Sequence, residues 1–456
     1  QPHVNRRGFL SSLAAVPLAA QLPARPNIVL IVADDLGYGD LGCYGQKMFA
    51  TPNIDRIASE GTRFTQAYAG AAVCAPSRCC LMTGKHTGHG RIRNNRGLRG
   101  RVPLESQDVT VAEVLKGSGY RTGLIGKWGL GEAGTPGIPN DQGFDEFFGF
   151  LNQDHALDYY PRHLWNNRTE FFPPGNQGAK RKEYVQDLFT DRAIRFLRGN
   201  TNSPFFLYLA YTIPHADSET GRDTGDGFIV PDYEPYTNRD WPRPERGFAA
   251  MMHRLDRDVG RIIAQLDQLG LSSNTLLIFT SDNGPALDSG HSPRFFNSNG
   301  GLRGQKGSFY EGGIRVPFLA RWPGQIPAGR TAADVVCFWD FLPTAAQLGG
   351  GAAPGGLDGN SMLPALTNRG AIGRKPLYWE VTGRTGLTQA VRMEKWKAVR
   401  ATPASPCELY DLDADPAEQH DLASAHPSVV RTMERLMSQS RIESPDYPSG
   451  LPPARI

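Results

Sequence analysis

Two pairs of side chains, Asp34-Asp35 and Asp282-Asn283, offer only hard oxygen donors, the ligand type calcium takes and a set that suits magnesium less well. No cysteine–histidine set with zinc spacing accompanies them. A single carboxylate of this kind is ordinarily a turn or cap residue. Two pairs, each directly behind an aliphatic run, point instead to one cation site. Cys74 is a candidate nucleophile. Pro76 marks a helix start and Gly84 its end, so the segment from Cys74 to Lys85 reads as a short helix with Cys74 at its N-terminus, where backbone N–H groups and the helix dipole favour an anion. A cysteine taken alone is more often a buried structural residue. Lys127, His215 and Lys306 add two cations and one titratable imidazole; singly, they read as solvated lysines and a packed loop histidine.

Positioning such residues calls for strands that end together. Four runs, Asn27 to Ala33, Tyr120 to Gly126, Phe205 to Thr212 and Thr275 to Ser281, are short, aliphatic or β-branched, and stop abruptly at polar residues. They end on Asp34-Asp35, Lys127, His215 and Asp282-Asn283, and in open α/β sheets ligands bind beyond the carboxyl ends of the strands. Helical periodicity falls between them, at Val109 to Lys116, Leu188 to Leu197 and Phe248 to Leu269. The alternation predicts an α/β class: a large, mostly parallel sheet sandwiched by helices. After Leu366 the texture changes to short strands at Leu377 to Val381, Gln389 to Met393, Trp396 to Arg400 and Glu408 to Asp411, then a helix from Pro427 to Ser438. This predicts a smaller C-terminal α+β subdomain with an antiparallel sheet, and boundaries at 26–365 and 366–456.

The whole chain constrains function further. Its 456 residues exceed one ordinary core. Mean hydropathy is −0.40, and no apolar run is long enough to span a bilayer. The net charge of +3 comes without a Lys/Arg block of the kind that binds nucleic acid. Asn5-Arg6-Arg7-Gly8-Phe9-Leu10, followed by an apolar stretch to Ala20, is similar to a twin-arginine export signal over residues 1–25, so a periplasmic or extracellular location is expected. The six cysteines show no regular disulfide framework.

The string Cys74-Ala75-Pro76-Ser77-Arg78 resembles the signature of the type I sulfatases, in which a separate formylglycine-generating enzyme oxidises the cysteine to formylglycine. Other blocks follow in the family's order: Asn27-Ile28-Val29 with Asp34-Asp35-Leu36-Gly37, Gly126-Lys127-Trp128-Gly129-Leu130-Gly131, Pro214-His215, Thr280-Ser281-Asp282-Asn283-Gly284, and Gly304-Gln305-Lys306 through Gly312-Gly313. The resemblance implies an alkaline-phosphatase-like fold, and one calcium ion per chain held by Asp34, Asp35, Asp282 and Asn283. It also implies a hydrated aldehyde at position 74 that attacks sulfur, expels the alcohol and then eliminates sulfate. Lys127 and Lys306 would balance charge on the sulfate, Arg78 would steady the aldehyde, and His215 would protonate the leaving alcohol.

One departure stands out. Many sulfatases have histidine two residues after the loop lysine, and here that position is Gly129. The expected replacement is His155, from the loop beginning at Asn152. Aromatic and acidic residues in the loops from Asn152 to Asn167, Asp217 to Trp241 and Ser289 to Gly301 suit a sulfated sugar better than a flat steroid, and the expected substrate is a sulfated glycan or a small sulfate ester. Two other readings remain at this level: a phosphodiesterase or phosphonate monoester hydrolase of the same superfamily, and an unmodified glycan-binding relative.

Overall fold

The computed structural model describes residues 25–383 and 386–450, so the export-signal segment lies outside the described residues apart from Arg25. Ten strands make one sheet: β1 (Asn27–Ala33), β2 (Thr62–Tyr68), β3 (Arg121–Lys127), β4 (Glu146–Phe150), β5 (Leu164–Asn166), β6 (Thr169–Phe171), β7 (Phe205–Ala210), β8 (Thr275–Ser281), β9 (Phe318–Arg321) and β10 (Arg330–Cys337). Their order is β10-β2-β9-β8-β1-β7-β3-β4-β5-β6. The central run from β8 to β4 is parallel throughout, and β9 and β5 enter antiparallel.

β1 explains why the central strands read as unbroken apolar runs. All seven of its residues are buried, because helices cover both faces. Ile28, Leu30 and Val32 join one core with residues of the helices at Cys74–Thr83, Val111–Gly117 and Phe341–Gly349. Val29, Ile31 and Ala33 join the other, with the helices at Val185–Gly199 and Arg243–Gln268. Truncating a fully buried residue such as Ile31 to alanine costs about 2–5 kcal/mol. The helix starts differ slightly from the periodicity. Thr110 closes a capping box with Glu113, which moves that start to Val111, and Pro244 in the first turn sets the start of the 26-residue helix at Arg243.

The smaller sheet holds β11 (Leu377–Gly383), β12 (Gly386–Met393), β13 (Trp396–Arg400) and β14 (Glu408–Asp411), all antiparallel neighbours. One side packs on Met433 and Met437 of the helix Pro427–Gln439. The other packs on the large sheet's periphery, where Trp379 joins Tyr68 and Trp339. A buried charge cluster ties the two sheets together. Lys397 on β13 lies 2.8 Å from Glu311 and 2.9 Å from Glu418, Arg315 is 3.2 Å from Glu311, and Tyr68 donates to Glu311 at 2.7 Å. Glu311 directly follows the stretch Gly304 to Tyr310 that carries Lys306, so the C-terminal sheet grips that stretch from behind.

Candidate active site

The four strand endings named from the sequence meet at one place. Beyond β1, Asp34 and Asp35 lie beside Asp282 and Asn283 at the end of β8: Asp282 N–H donates to the Ala33 carbonyl at 3.1 Å, and Asp35 N–H donates to Asp282 Oδ1 at 3.2 Å. Asp35 takes a positive φ of 67°, unusual for a residue with a side chain and typical of positions held strained at a site. Lys127 closes β3. Just before it Gly126 has φ 114°, and a Cβ there would stand 1.9 Å from the Ala210 carbonyl oxygen, so only glycine lets β3 and β7 approach this closely.

The cysteine lies where its spacing predicts, as the first residue of the helix Cys74–Thr83, which ends on Gly84 in the left-handed conformation. Its Sγ is 3.4 Å from Asp34 Oδ1, and the next amide, Ala75 N–H, is capped by Asn95 Oδ1 at 2.9 Å. Burial and then the Asp34 charge push the Cys74 thiol well above its usual range, so as a thiol it stays protonated at neutral pH.

Each carboxylate carries a cation. Lys127 Nζ is 2.5 Å from Asp34 Oδ2, and Lys306 Nζ is 2.6 Å from Asp35 Oδ1. Burial opposes ionisation of Asp34, but the charges of Lys127, His215, Arg78 and Lys306 outweigh it and hold the carboxyl far below the usual carboxylate range. Burial and the neighbouring Asp34 charge push Asp282 the other way, up to about 7. His215 Nδ1 faces the Ala216 carbonyl at 2.5 Å; a carbonyl only accepts, so Nδ1 carries the proton and Nε2, 3.4 Å from Asp35 Oδ2, is free to take one. Burial lowers the His215 pKa, against the pull of Asp35.

Arg78 is fully buried: Nε and Nη2 donate to Asp282 at 3.0 and 2.8 Å, Nη2 lies 3.8 Å from Asp34, and Nη1 donates to the Lys127 carbonyl at 3.0 Å and the Tyr208 hydroxyl at 3.4 Å. It fastens the cysteine helix to β3, β7 and β8. His155 does not enter the space over Gly129. Its ring packs on Phe150 and His163, with centroids 4.8 and 4.3 Å away, and the Gln153 amide fills that space instead. Tyr208, Asn95 and Gln153 carry no motif, and the sequence reading missed them. Tyr208 sits inside an apolar strand, Asn95 in a mixed basic loop, and only the fold brings Tyr208 to Arg78 and Asn95 to the Ala75 amide.

The donor set fits a hard cation. Asp34, Asp35, Asp282 and Asn283 contribute oxygen alone, and Asn283 Oδ1 is buried without a hydrogen-bond partner while its Nδ2 donates to Asp35 at 2.8 Å. Asp34, Asp35, Cys74 and His215 present ligand atoms within 4.8 Å of one another.

Known proteins resemble this chain over most of its length. The Sulfatase family model matches residues 26–351, and one for the C-terminal part of N-sulphoglucosamine sulphohydrolase matches 304–443. Human arylsulfatase A is 36% identical over 94% of this chain and 90% of its own length. An N-acetylgalactosamine-6-O-sulfatase of Bacteroides thetaiotaomicron is 30% identical, over 91% of this chain and 92% of its own. The crystal structure of Ps i-CgsB in complex with k-i-k-neocarrahexaose superposes with a TM-score of 0.79 at 32% identity, covering 91% of this chain and 92% of that one. The two-sheet α/β architecture is thus the alkaline-phosphatase-like fold of sulfatases, and the chain belongs to the sulfatase family, a sulfuric ester hydrolase.

Proposed function

We propose that this enzyme releases inorganic sulfate from sulfated carbohydrate, with formylglycine made from Cys74 and one calcium ion held by Asp34, Asp35, Asp282 and Asn283. The observation that carries the reading is the convergence of a helix-terminal Cys74, two lysines and one imidazole on four hard oxygen donors. The protonated, buried thiol is a poor nucleophile, which favours a modified residue over cysteine itself. The hydrated aldehyde would supply a hydroxyl nucleophile and the cation would supply positive charge beside a sulfuryl oxygen.

The chain's own side chains do the rest. Lys127 and Lys306 stand on the Asp34 and Asp35 carboxylates and are poised to neutralise charge on the sulfuryl group. Arg78 fixes Asp282 and the Lys127 carbonyl in register with the cysteine helix. His215 moves a proton at Nε2, its ring oriented by the Nδ1–H bond to Ala216. Carbohydrate as the substrate class is supported by two of the similar proteins, the N-acetylgalactosamine-6-O-sulfatase and the neocarrahexaose complex. Among the described residues one imidazole reaches the cluster, which disfavours the imidazole-rich transition-metal site of a phosphodiesterase or phosphonate monoester hydrolase.

The reading also includes a formylglycine-generating enzyme as partner, export by the segment 1–25, and a division at 26–365 and 366–456. No helix among the described residues is long and apolar enough to cross a membrane. The deciding assay measures sulfate release from defined sulfated mono- and oligosaccharides and aryl sulfates, and phosphate release from the matching esters. Aryl sulfates turned over faster than every glycan would refute the carbohydrate assignment, and faster phosphate release would refute the ester class.

A further inference from the structure

Gly129 and Leu151 sit side by side just past the carboxyl ends of β3 and β4: Trp128 N–H donates to the Phe150 carbonyl and Gly129 N–H to the Leu151 carbonyl, each at 2.9 Å. Gly129 therefore lies two residues beyond Lys127, which pairs with Phe150 at the end of the ladder. Over Gly129, whose φ is 81°, the chain folds back and sets the Gln153 side chain against the glycine. A Cβ at position 129 would stand 2.0 Å from Gln153 Nε2. Gln153 is only 9% exposed, yet neither Nε2 nor Oε1 has a hydrogen-bond partner. Buried amides are nearly always satisfied, and leaving both ends unpaired is costly. Gly129 also lines a cleft of about 440 Å³ whose charged residues, Arg96, Arg101, Glu132 and Asp154, pair with one another, so they do not occupy the amide.

An unpaired buried amide set against Gly129, two residues past the site's lysine, is built to meet a group that arrives with the ligand. We propose that Gln153 is a catalytic residue that contacts the substrate, its amide N–H donating to a sulfuryl oxygen of the bound sulfate ester. This rests on the reading of the chain as a carbohydrate sulfatase and adds to it a contact made from the position that Gly129 leaves open. An amide gives a hydrogen bond without giving up its proton. It stabilises charge on the sulfuryl group and leaves proton transfer to His215. The glycine is then a requirement of the arrangement, since any side chain at 129 would displace the amide.

The test uses full-length enzyme with its aldehyde occupancy at position 74 measured by peptide mass spectrometry. Gln153→Met keeps the shape and removes the hydrogen bonds. It should lower kcat/KM on a sulfated monosaccharide by about 10- to 100-fold, and raise the inhibition constant of inorganic sulfate, while aldehyde occupancy and Tm hold or Tm rises. Gln153→Glu puts a carboxylate against sulfate and should fall lower still. The pH at which activity titrates should not move in the Met variant, since the amide carries no exchangeable charge. Kinetics within twofold of wild type, or losses that track a fall in Tm or in aldehyde occupancy, overturn the proposal. Fully modified wild-type protein that releases no sulfate from any ester overturns the parent reading and this one together; an active wild type with an indifferent Gln153→Met overturns this one alone.

Discussion

Replacing Lys397 with methionine probes the joint between the two sheets. The substitution removes the ammonium that lies 2.8 Å from Glu311 and 2.9 Å from Glu418, in a place where all three side chains are closed to solvent. Arg315 still faces Glu311, while Glu418 is left with the Glu311 backbone N–H at 2.6 Å. Breaking a buried ion pair by removing one partner costs about 3–5 kcal/mol. A chain of this length has an unfolding entropy of roughly 0.9 kcal/mol per kelvin, so Tm should fall by about 3–6 °C at pH 7, read by scanning fluorimetry at one scan rate. The effect has a sign in pH. Burial opposes the Glu311 charge, but Lys397, Arg315 and Arg392 outweigh it and hold its pKa at about 2, below the ordinary glutamate value of 4.5. That contribution is complete above about pH 4.5 and is lost as pH falls toward 2. In the variant the carboxyls instead take up a proton on folding, so the Tm gap should be widest near neutrality and narrow on acidification. Turnover should fall as well, because Glu311 anchors the stretch carrying Lys306. A Tm within about 1 °C of wild type at pH 7, or a gap that widens toward acid, refutes this account of the joint.

Other outcomes follow from the site. Wild-type protein should show the thiol-to-aldehyde mass change on the Cys74 peptide, and Cys74→Ala and Cys74→Ser should fold but release almost no sulfate; full activity from an unmodified thiol would disprove the nucleophile. Exhaustive chelation and Asp35→Ala should each abolish turnover, with calcium restoring the chelated wild type, and persistent turnover after chelation would remove the metal from the site. Burial, with the nearby His163 charge, lowers His155 to about 4 from 6.5, so its neutral form contributes stability fully above about pH 6.5 and loses it as pH drops toward 4. His155→Phe should therefore flatten the fall in Tm between pH 7 and 4.5, and an unchanged slope would show that this imidazole is not held neutral.

Much of the catalytic centre can be read from the chain because its residues sit at the ends of strands whose apolar runs announce themselves. Asp34, Lys127 and Asp282 directly follow or close buried strands, and parallel topology brings such ends together. The partners that hold them carry no local signal. Tyr208 reaches Arg78 across 130 residues and Lys397 reaches Glu311 across 86, so each depends on sheet order. The choice of Gln153 over His155 is a matter of loop geometry. Two residues apart on one loop, one turns toward Gly129 and the other stacks on Phe150 and His163. A histidine draws chemical expectation, whereas a glutamine earns it only once its amide is seen buried and unpaired.

The tie between Arg78 and Asp282 spans 204 residues, and it sets a timetable. Until Asp282 has been synthesised, the helix that begins at Cys74 lacks the carboxylate that locks it beneath the sheet. At ribosomal rates of about 5–20 residues per second that interval lasts roughly 10–40 s. In the finished molecule Cys74 is 2% exposed and its helix is buried from end to end. The enzyme proposed to oxidise Cys74 therefore competes with translation, and slowing elongation downstream of residue 80 should raise the fraction of chains that leave the ribosome modified.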